Sequence, residues 1–344
     1  MERLRIPGPT PCPDEVLQAM TKQMINHRGP EFGQILNEVT AQLNGLEAAV
    51  VNTLSPGDKV LSVSIGVFGE RFATIAQQFG AEIIPLQFEW GKAADIDTIR
   101  RALRAEPDIR AVLVTHNETS TGVSNDLAQI SAVVKEFDKL LLIDAISSLS
   151  SINLPVDDWH CDVVVTGSQK GWMVPPGLAM VSVSEGAWRA HKKAKMPRFY
   201  WDFTKAKSYL EKGQTPWTPV MTIVFALSVS LKMMLAEGLA NVFARHARVA
   251  NRAREGVKSL GLPLFADEKY ASNTVTSVAG AGGLDIIKML RIMREEHQIV
   301  LGGGQLSLGG KIFRIGHMGW VAEEDIDVVI SALKVVLPQA GFRS

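Results

Sequence analysis

The sequence predicts an α/β protein: a large domain with a mainly parallel sheet sandwiched by helices, followed by a smaller C-terminal α+β domain. Short runs rich in Val, Ile and Leu recur from about residue 58 to 185, each bounded by turn residues. Amphipathic stretches separate several of these runs, as a parallel sheet covered on both faces requires. After residue 220 the texture changes to long helical patterns and then to strand-like and helical segments in turn.

Taken in order, the arm 1–25 opens with "MERLRIPGPTPCPDE", which is charged and proline-punctuated and lacks the apolar core of a signal peptide. The large domain is expected over 26–235. Within it "DKVLSVSI", "EIIPLQF", "AVLVTH", "KLLLIDA", "DVVVTGS" and "LAMVSVS" read as buried strands, with "GERFATIAQQFG" and "DLAQISAVVKEFD" as helices between them. The apolar "MTIVFALSVSLKMML" is cut by Ser228, Ser230 and Lys232, short of a membrane span, so no membrane partner is expected. The small domain is expected over 236–344. There "LANVFARHARVANRAREGVKSLG" and "LDIIKMLRIMREEH" read as helices, and "NTVTSVAG" and "KIFRIGHMG" as strands.

Composition narrows the function classes. Lys+Arg and Asp+Glu both total 36, so no global field would recruit nucleic acid or an anionic surface. The expected partner is a small molecule or a second copy of the chain. Two cysteines, Cys12 and Cys161, are too few for a disulfide framework and fit a reducing cytoplasm. The seven histidines show no ligand spacing, so no metal site is expected.

In such sheets ligands sit beyond the carboxyl ends of the strands. Three consecutive strand signals deliver polar groups to that rim: His116 to Thr121, then Asp144, then Ser168, Gln169 and Lys170. Each alone has a plainer reading, as a solvated loop lysine or a turn-forming aspartate. Together they match the needs of a pyridoxal phosphate site, where a lysine forms a Schiff base and a carboxylate opposes the pyridinium nitrogen. Lys170, on a long flexible stem, is placed to serve also as proton shuttle.

The motifs "IPGPTP", "HRGPEF", "SPGDKVL", "GVFGERF", "AVLVTHNETSTGV", "LLIDAISSL", "TGSQKGWMVPPGLA", "GQTPWTP" and "FRIGHMG" follow one another along the whole chain. In that order they resemble the class V, fold type I pyridoxal phosphate aminotransferases of the alanine–glyoxylate and serine–glyoxylate group. The resemblance implies Lys170 as the Schiff-base lysine and Asp144 as the pyridinium partner. It implies Phe68 as the ring stacking on the cofactor, Thr119 as a hydroxyl beside cofactor and substrate, and Gln169 as a phosphate ligand. Thr215 and Thr218 would reach the phosphate of a neighbouring subunit, in a homodimer that shares its active sites. Arg314 would hold the substrate carboxylate, and His27 and Arg28 would lie near the dimer mouth. The activity implied is ping-pong transfer of an amino group from alanine or serine to glyoxylate. Each of these has a plainer rival: Phe68 as a core aromatic, Arg314 as a surface residue on an edge strand and "TPWTP" as a proline-braced loop.

The sequence departs from that pattern ahead of "LEAAVVN". The family has a strand and an S-G-T-G-A loop there, whose amides cradle the cofactor phosphate at a helix N-terminus. Here one helical pattern runs into the next, with only Asn44 and Gly45 as a small turn between Leu43 and Leu46. Either the segment is deleted, or it is missing from the sequence as recorded; the second is favoured because losing a strand would expose much buried surface. A deletion would favour a different class, a catalytically impaired, cofactor-poor accessory or scaffold subunit. A nicotinamide dehydrogenase, suggested by "VTSVAGAGGLDIIKML", lacks the third fingerprint glycine, since Asp285 stands in its place. A desulfurase would need a cysteine on a mobile loop of the smaller domain, where neither Cys12 nor Cys161 lies.

Overall fold

The computed structural model describes residues 3–23, 25, 35 and 45–343. Strand β1 (Arg3–Arg5) and helix α1 (Asp14–Ala19) precede helix α2 (Gly45–Thr53). Then come β2 (Lys59–Ser64), α3 (Val67–Gln78), β3 (Glu82–Gln87), α4 (Ile96–Ala105) and β4 (Ala111–Thr115). A short ribbon, β5 (Asn117–Glu118) and β6 (Val123–Ser124), leads to α5 (Leu127–Glu136), β7 (Leu140–Asp144), β8 (Val163–Gly167) and β9 (Ala179–Val183).

The six expected strands form one sheet in the order β3-β2-β4-β7-β8-β9. All neighbours are parallel except β9, which runs antiparallel to β8. Strands β4 and β8 are buried along their whole length and β7 from Leu141 onward, which explains why they read as unbroken apolar runs. Alternate side chains go to opposite faces. Leu61, Val112, Leu141 and Val164 pack with Ile99 and Leu103 of α4 and Ile130 of α5. Val60, Leu113, Leu142 and Val163 pack with Val50 of α2 and Phe72 of α3. Side-chain caps start several helices: Asp95 accepts from Thr98 N at 2.8 Å and Asp126 from Gln129 N at 3.2 Å.

Helices α6 (Glu185–His191), α7 (Phe203–Leu210) and α8 (Met221–Glu237) carry the chain to α9 (Leu239–Ser259). Gly238, at φ 85°, breaks the run between α8 and α9, which bend by 87°. Helix α8 is apolar because much of it is buried against α1 and the 172–180 segment, and among the described residues no single helix is long and apolar enough to cross a membrane.

The remaining elements are β10 (Val275–Ala279), α10 (Ile286–Glu295), β11 (Ile299–Gly303), β12 (Ile312–Gly316) and α11 (Glu323–Gln339). The second sheet has the order β1-β11-β12-β10, with β1 parallel to β11 and the other pairs antiparallel. Its core joins Phe313 and Ile315 to Met289, Ile326 and Leu333 from the flanking helices. The glycines of "GAGG" form a turn before α10, Gly282 and Gly283 having positive φ, and Asp285 caps that helix by accepting from Lys288 N. Strands β10 and β11 are both antiparallel to β12, which lies between them, so β10-α10-β11 is a split β-α-β unit whose two parallel strands are not neighbours.

Candidate active site

The register of the large sheet brings the predicted residues to one rim. Thr115 at the end of β4 is opposite Asp144 at the end of β7, and Asp144 is opposite Val165 in β8, the strand that leads to Lys170. Asp144 is 4% exposed; its Oδ1 accepts from Ile146 N at 2.9 Å, and it makes no ion pair among the described residues. Burial pushes its carboxyl up to about 7, the Glu118 charge adds to the rise, and the Ile146 amide, Lys170 and Arg71 oppose it. Burial pulls the Lys170 ammonium down to about 8, with Arg314 acting in the same direction and Asp144 against it. A buried carboxylate with one backbone donor and no cation in contact is suited to an N⁺–H from a bound group. A lysine titrating near neutrality is suited to attack a carbonyl. The residues present thus fit the ring end of pyridoxal phosphate.

Lys170 lies under a strap formed by residues 6–10. Its ammonium donates to the Pro7 carbonyl, and Thr10 ties down the backbone, its Oγ1 donating to Lys170 O at 3.0 Å and its N–H to Gln169 O at 3.2 Å. Gly8 (φ 103°) touches the lysine stem: a Cβ there would sit 2.7 Å from Lys170 Cδ and Nζ. This contact was hidden in "IPGPTP", whose glycine is needed where backbone and lysine cross.

Arg314, on β12, is 6% exposed. Its Nε and Nη2 donate to Gly303 O at 2.9 and 2.7 Å, and its Nη1 to Thr119 O at 2.9 Å. Three of its five N–H groups are thereby used, which leaves one on each terminal nitrogen for a carboxylate. Burial lowers its pKa and the Glu118 carboxylate opposes that shift. Thr119, 3% exposed, therefore meets Arg314 through its carbonyl.

Phe68 is half-buried in the first turn of α3, with the Arg71 guanidinium 4.9 Å from its ring centroid. Gln169 is adjacent to Lys170 and half-buried. Thr215 and Thr218 are elsewhere, along a cleft that also includes Gly177, Leu178 and Tyr200. Thr215 donates to Trp217 O at 2.7 Å and Thr218 is exposed, and no described contact joins either to Lys170. His27, Arg28, Leu43 and Asn44, with the segment expected to carry the phosphate loop, lie outside the described residues. The cysteine thiols are both raised by burial, Cys161 to about 12, the opposite of an activated nucleophile.

Sequence reasoning singled out Glu118 only as one of a polar run. The structure buries it completely and surrounds its carboxylate with donors from α3 and Ser120.

The family pattern "Aminotransferase class-V" matches residues 35–323. The chain is 44% identical to a "Soluble hydrogenase 42 kDa subunit" of Anabaena cylindrica, over 99% of this chain and 94% of that one. It is 36% identical to an L-aspartate–glyoxylate aminotransferase of Paracoccus denitrificans, over 98% and 91%. Those two alignments run to 362 positions, longer than the chain itself, so each of these relatives has residues that this chain lacks. The crystal structure of an alanine–glyoxylate aminotransferase from Nostoc sp. superposes with a TM-score of 0.93 at 30% identity, covering 98% of this chain and 95% of that one.

Proposed function

The chain belongs to the class V aminotransferases, enzymes of fold type I that work with pyridoxal 5′-phosphate, and from that premise we propose that it transfers the amino group of a small L-amino acid, alanine or serine, to glyoxylate. The observation that carries the proposal is that Asp144 ends β7 while Lys170 follows the end of the adjacent parallel strand β8, each charge acting on the other and the Arg314 charge acting on Lys170. Amine transfer needs all three, and the hydrogenase name of the Anabaena relative explains none of them.

When bound, the cofactor supplies the electron sink for the substrate α-carbon and carries the amino group between half-reactions. The protein supplies the rest. Asp144 holds a proton on the ring nitrogen by opposing its charge. Lys170 takes the proton from the α-carbon and returns it on the other side of the transfer, which is why a lysine with a lowered pKa suits it. Arg314 orients the substrate carboxylate with the two N–H groups left over from Gly303 and Thr119. Phe68 would cover one face of the ring, Thr119 would border it, and Gln169 would contact the phosphate.

Thr215 and Thr218 have their role in a homodimer, reaching the phosphate of the other subunit across a shared interface. The exposure of Thr218, and the cleft that both threonines line without Lys170, support that reading. The arm 1–25, large domain 26–235 and small domain 236–344 complete it, with the break at Gly238 just past the expected boundary. The cytoplasm suits two unpaired cysteines. A cofactor-poor scaffold would rest on residues before Gly45, outside the described part, whereas Asp144, Lys170 and Arg314 are intact.

The test is a single-turnover screen. Protein loaded with pyridoxal phosphate should show a visible band that alanine or serine discharges and glyoxylate restores. A protein that stays colourless, or a band indifferent to every amino acid, would overturn the proposal.

A further inference from the structure

Glu118 ends strand β5 with its side chain fully buried, and each of its carboxylate oxygens is doubly occupied. Oε2 accepts from Phe68 N at 2.9 Å and Gly69 N at 3.1 Å. Oε1 accepts from Ser120 N at 3.1 Å and Ser120 Oγ at 2.5 Å. Ser120 Oγ in turn accepts from Val67 N at 3.0 Å. Three N–H groups at the start of α3 thus end on one carboxylate and its attached hydroxyl, where the helix dipole favours negative charge. Gly66 makes the approach possible, since a Cβ there would sit 2.5 Å from Glu118 Cγ and 2.6 Å from Ser120 Oγ.

The same residue anchors the turn that follows it. Thr121 N and Gly122 N donate to Glu118 O at 3.3 and 2.8 Å, and within that turn Thr119 O receives Arg314 Nη1 at 2.9 Å. Helix α3 carries Phe68, and the turn holds Arg314. One buried carboxylate therefore connects the element bearing the stacking ring to the element that aims the guanidinium.

We propose that Glu118 is a positioning residue, which sets Phe68 and Arg314 at a fixed separation around the Asp144–Lys170 pair. It touches neither substrate nor cofactor; it acts through the backbone of residues 67–69 and 119–122. The inference rests on the functional reading above for the roles of Phe68 and Arg314. Gln at this position keeps an oxygen for Phe68 and Gly69 but turns its amide toward the Ser120 N–H, so part of the clamp is lost. Ala loses all of it.

The experiment compares wild type, Glu118→Gln and Glu118→Ala as whole proteins. Amide exchange on the cofactor-free protein should quicken at Phe68 and Gly69 in Ala and less in Gln. With pyridoxal phosphate bound, visible circular dichroism should weaken in the same order, and KM for glyoxylate should rise about tenfold or more in Ala with a smaller change in kcat, the worth of roughly one displaced charge-assisted bond. Glu118→Gln decides the matter where Ala does not fold. Variants that melt earlier yet keep wild-type dichroism and KM would overturn the proposal, because a purely structural role moves only the melting temperature. A wild type that takes no cofactor would defeat the functional reading instead, and unchanged exchange at Phe68 and Gly69 would still overturn the clamp.

Discussion

The Asp144 carboxyl ends β7 and the Lys170 amine follows the neighbouring parallel strand β8, and each offsets the shift that burial imposes on the other. Burial raises the acid to about 7 and lowers the base to about 8, so both are poised close to neutrality before any ligand arrives. Two buried titratable groups brought toward one another at a strand-end rim are what acid–base chemistry requires.

Asp144 makes the cofactor-free protein sensitive to pH in a definite direction. The unfolded chain ionises near 3.8 and the folded one near 7, so between these values the folded state retains a proton that the unfolded state has lost. Stability should fall as pH rises through that window and level off above it. Asp144→Asn should remove this slope, measured as the difference between the two melting curves across pH, and should also weaken cofactor binding.

Burial shifts Lys170 in the opposite direction. Its capture of pyridoxal phosphate should quicken as pH rises and reach a plateau above about 8, where a solvated lysine would still be climbing. Stopped-flow absorbance checks this. Lys170→Ala should show no visible band and lose about 10² to 10⁴ in rate from proton transfer alone.

Arg314→Lys keeps the charge but loses the planar fork that bonds Gly303 and Thr119. KM for glyoxylate should rise about tenfold or more with a smaller fall in kcat. Steady-state kinetics on both substrates would read the split, and an unchanged KM would remove Arg314 from carboxylate binding.

Gly8→Ala drives a methyl group into the Lys170 stem and forces a positive φ on an alanine. A loss of about 1–3 kcal/mol is expected from the backbone alone. The lysine should also react more slowly with the cofactor, which separates this variant from one that is merely less stable.

Sharing of the site between subunits has a distinctive test. Lys170→Ala and the Thr215→Ala/Thr218→Ala double variant place their defects on opposite sides of one composite site. Mixed and reassembled, half of the dimers would carry one intact site, so about a quarter of the wild-type sites should return. No recovery would assign both threonines to the site of their own chain, and a double variant active by itself would place them outside the site.

Much of this was legible in the sequence because its causes are local. Strands β4, β7 and β8 are buried on both faces, so their apolar runs were unambiguous, and strand ends locate Asp144 and Lys170 directly. Strand β1, "RLR", and β11, "IVLGG", were missed: the first is short and polar and exists only because β11 offers it an edge, and the second ends in glycines. Glu118 was visible only as one polar residue among several, because its importance comes from Gly66 and Phe68, distant in sequence. The strap over Lys170 escaped for the same reason.

That strap belongs to both halves of the molecule. Arg3–Arg5 is stitched to β11 in the smaller sheet, and Arg5 pairs with Asp325 of α11, while Pro7, Gly8 and Thr10 meet Lys170 and Gln169 at the larger one. It is a tie: any displacement of one half against the other would load the peptide beside Lys170. The amino end is therefore a poor handle for purification tags or surface tethering, since drag there is delivered to the lysine, and the carboxyl end beyond α11 is the safer place to hold this protein.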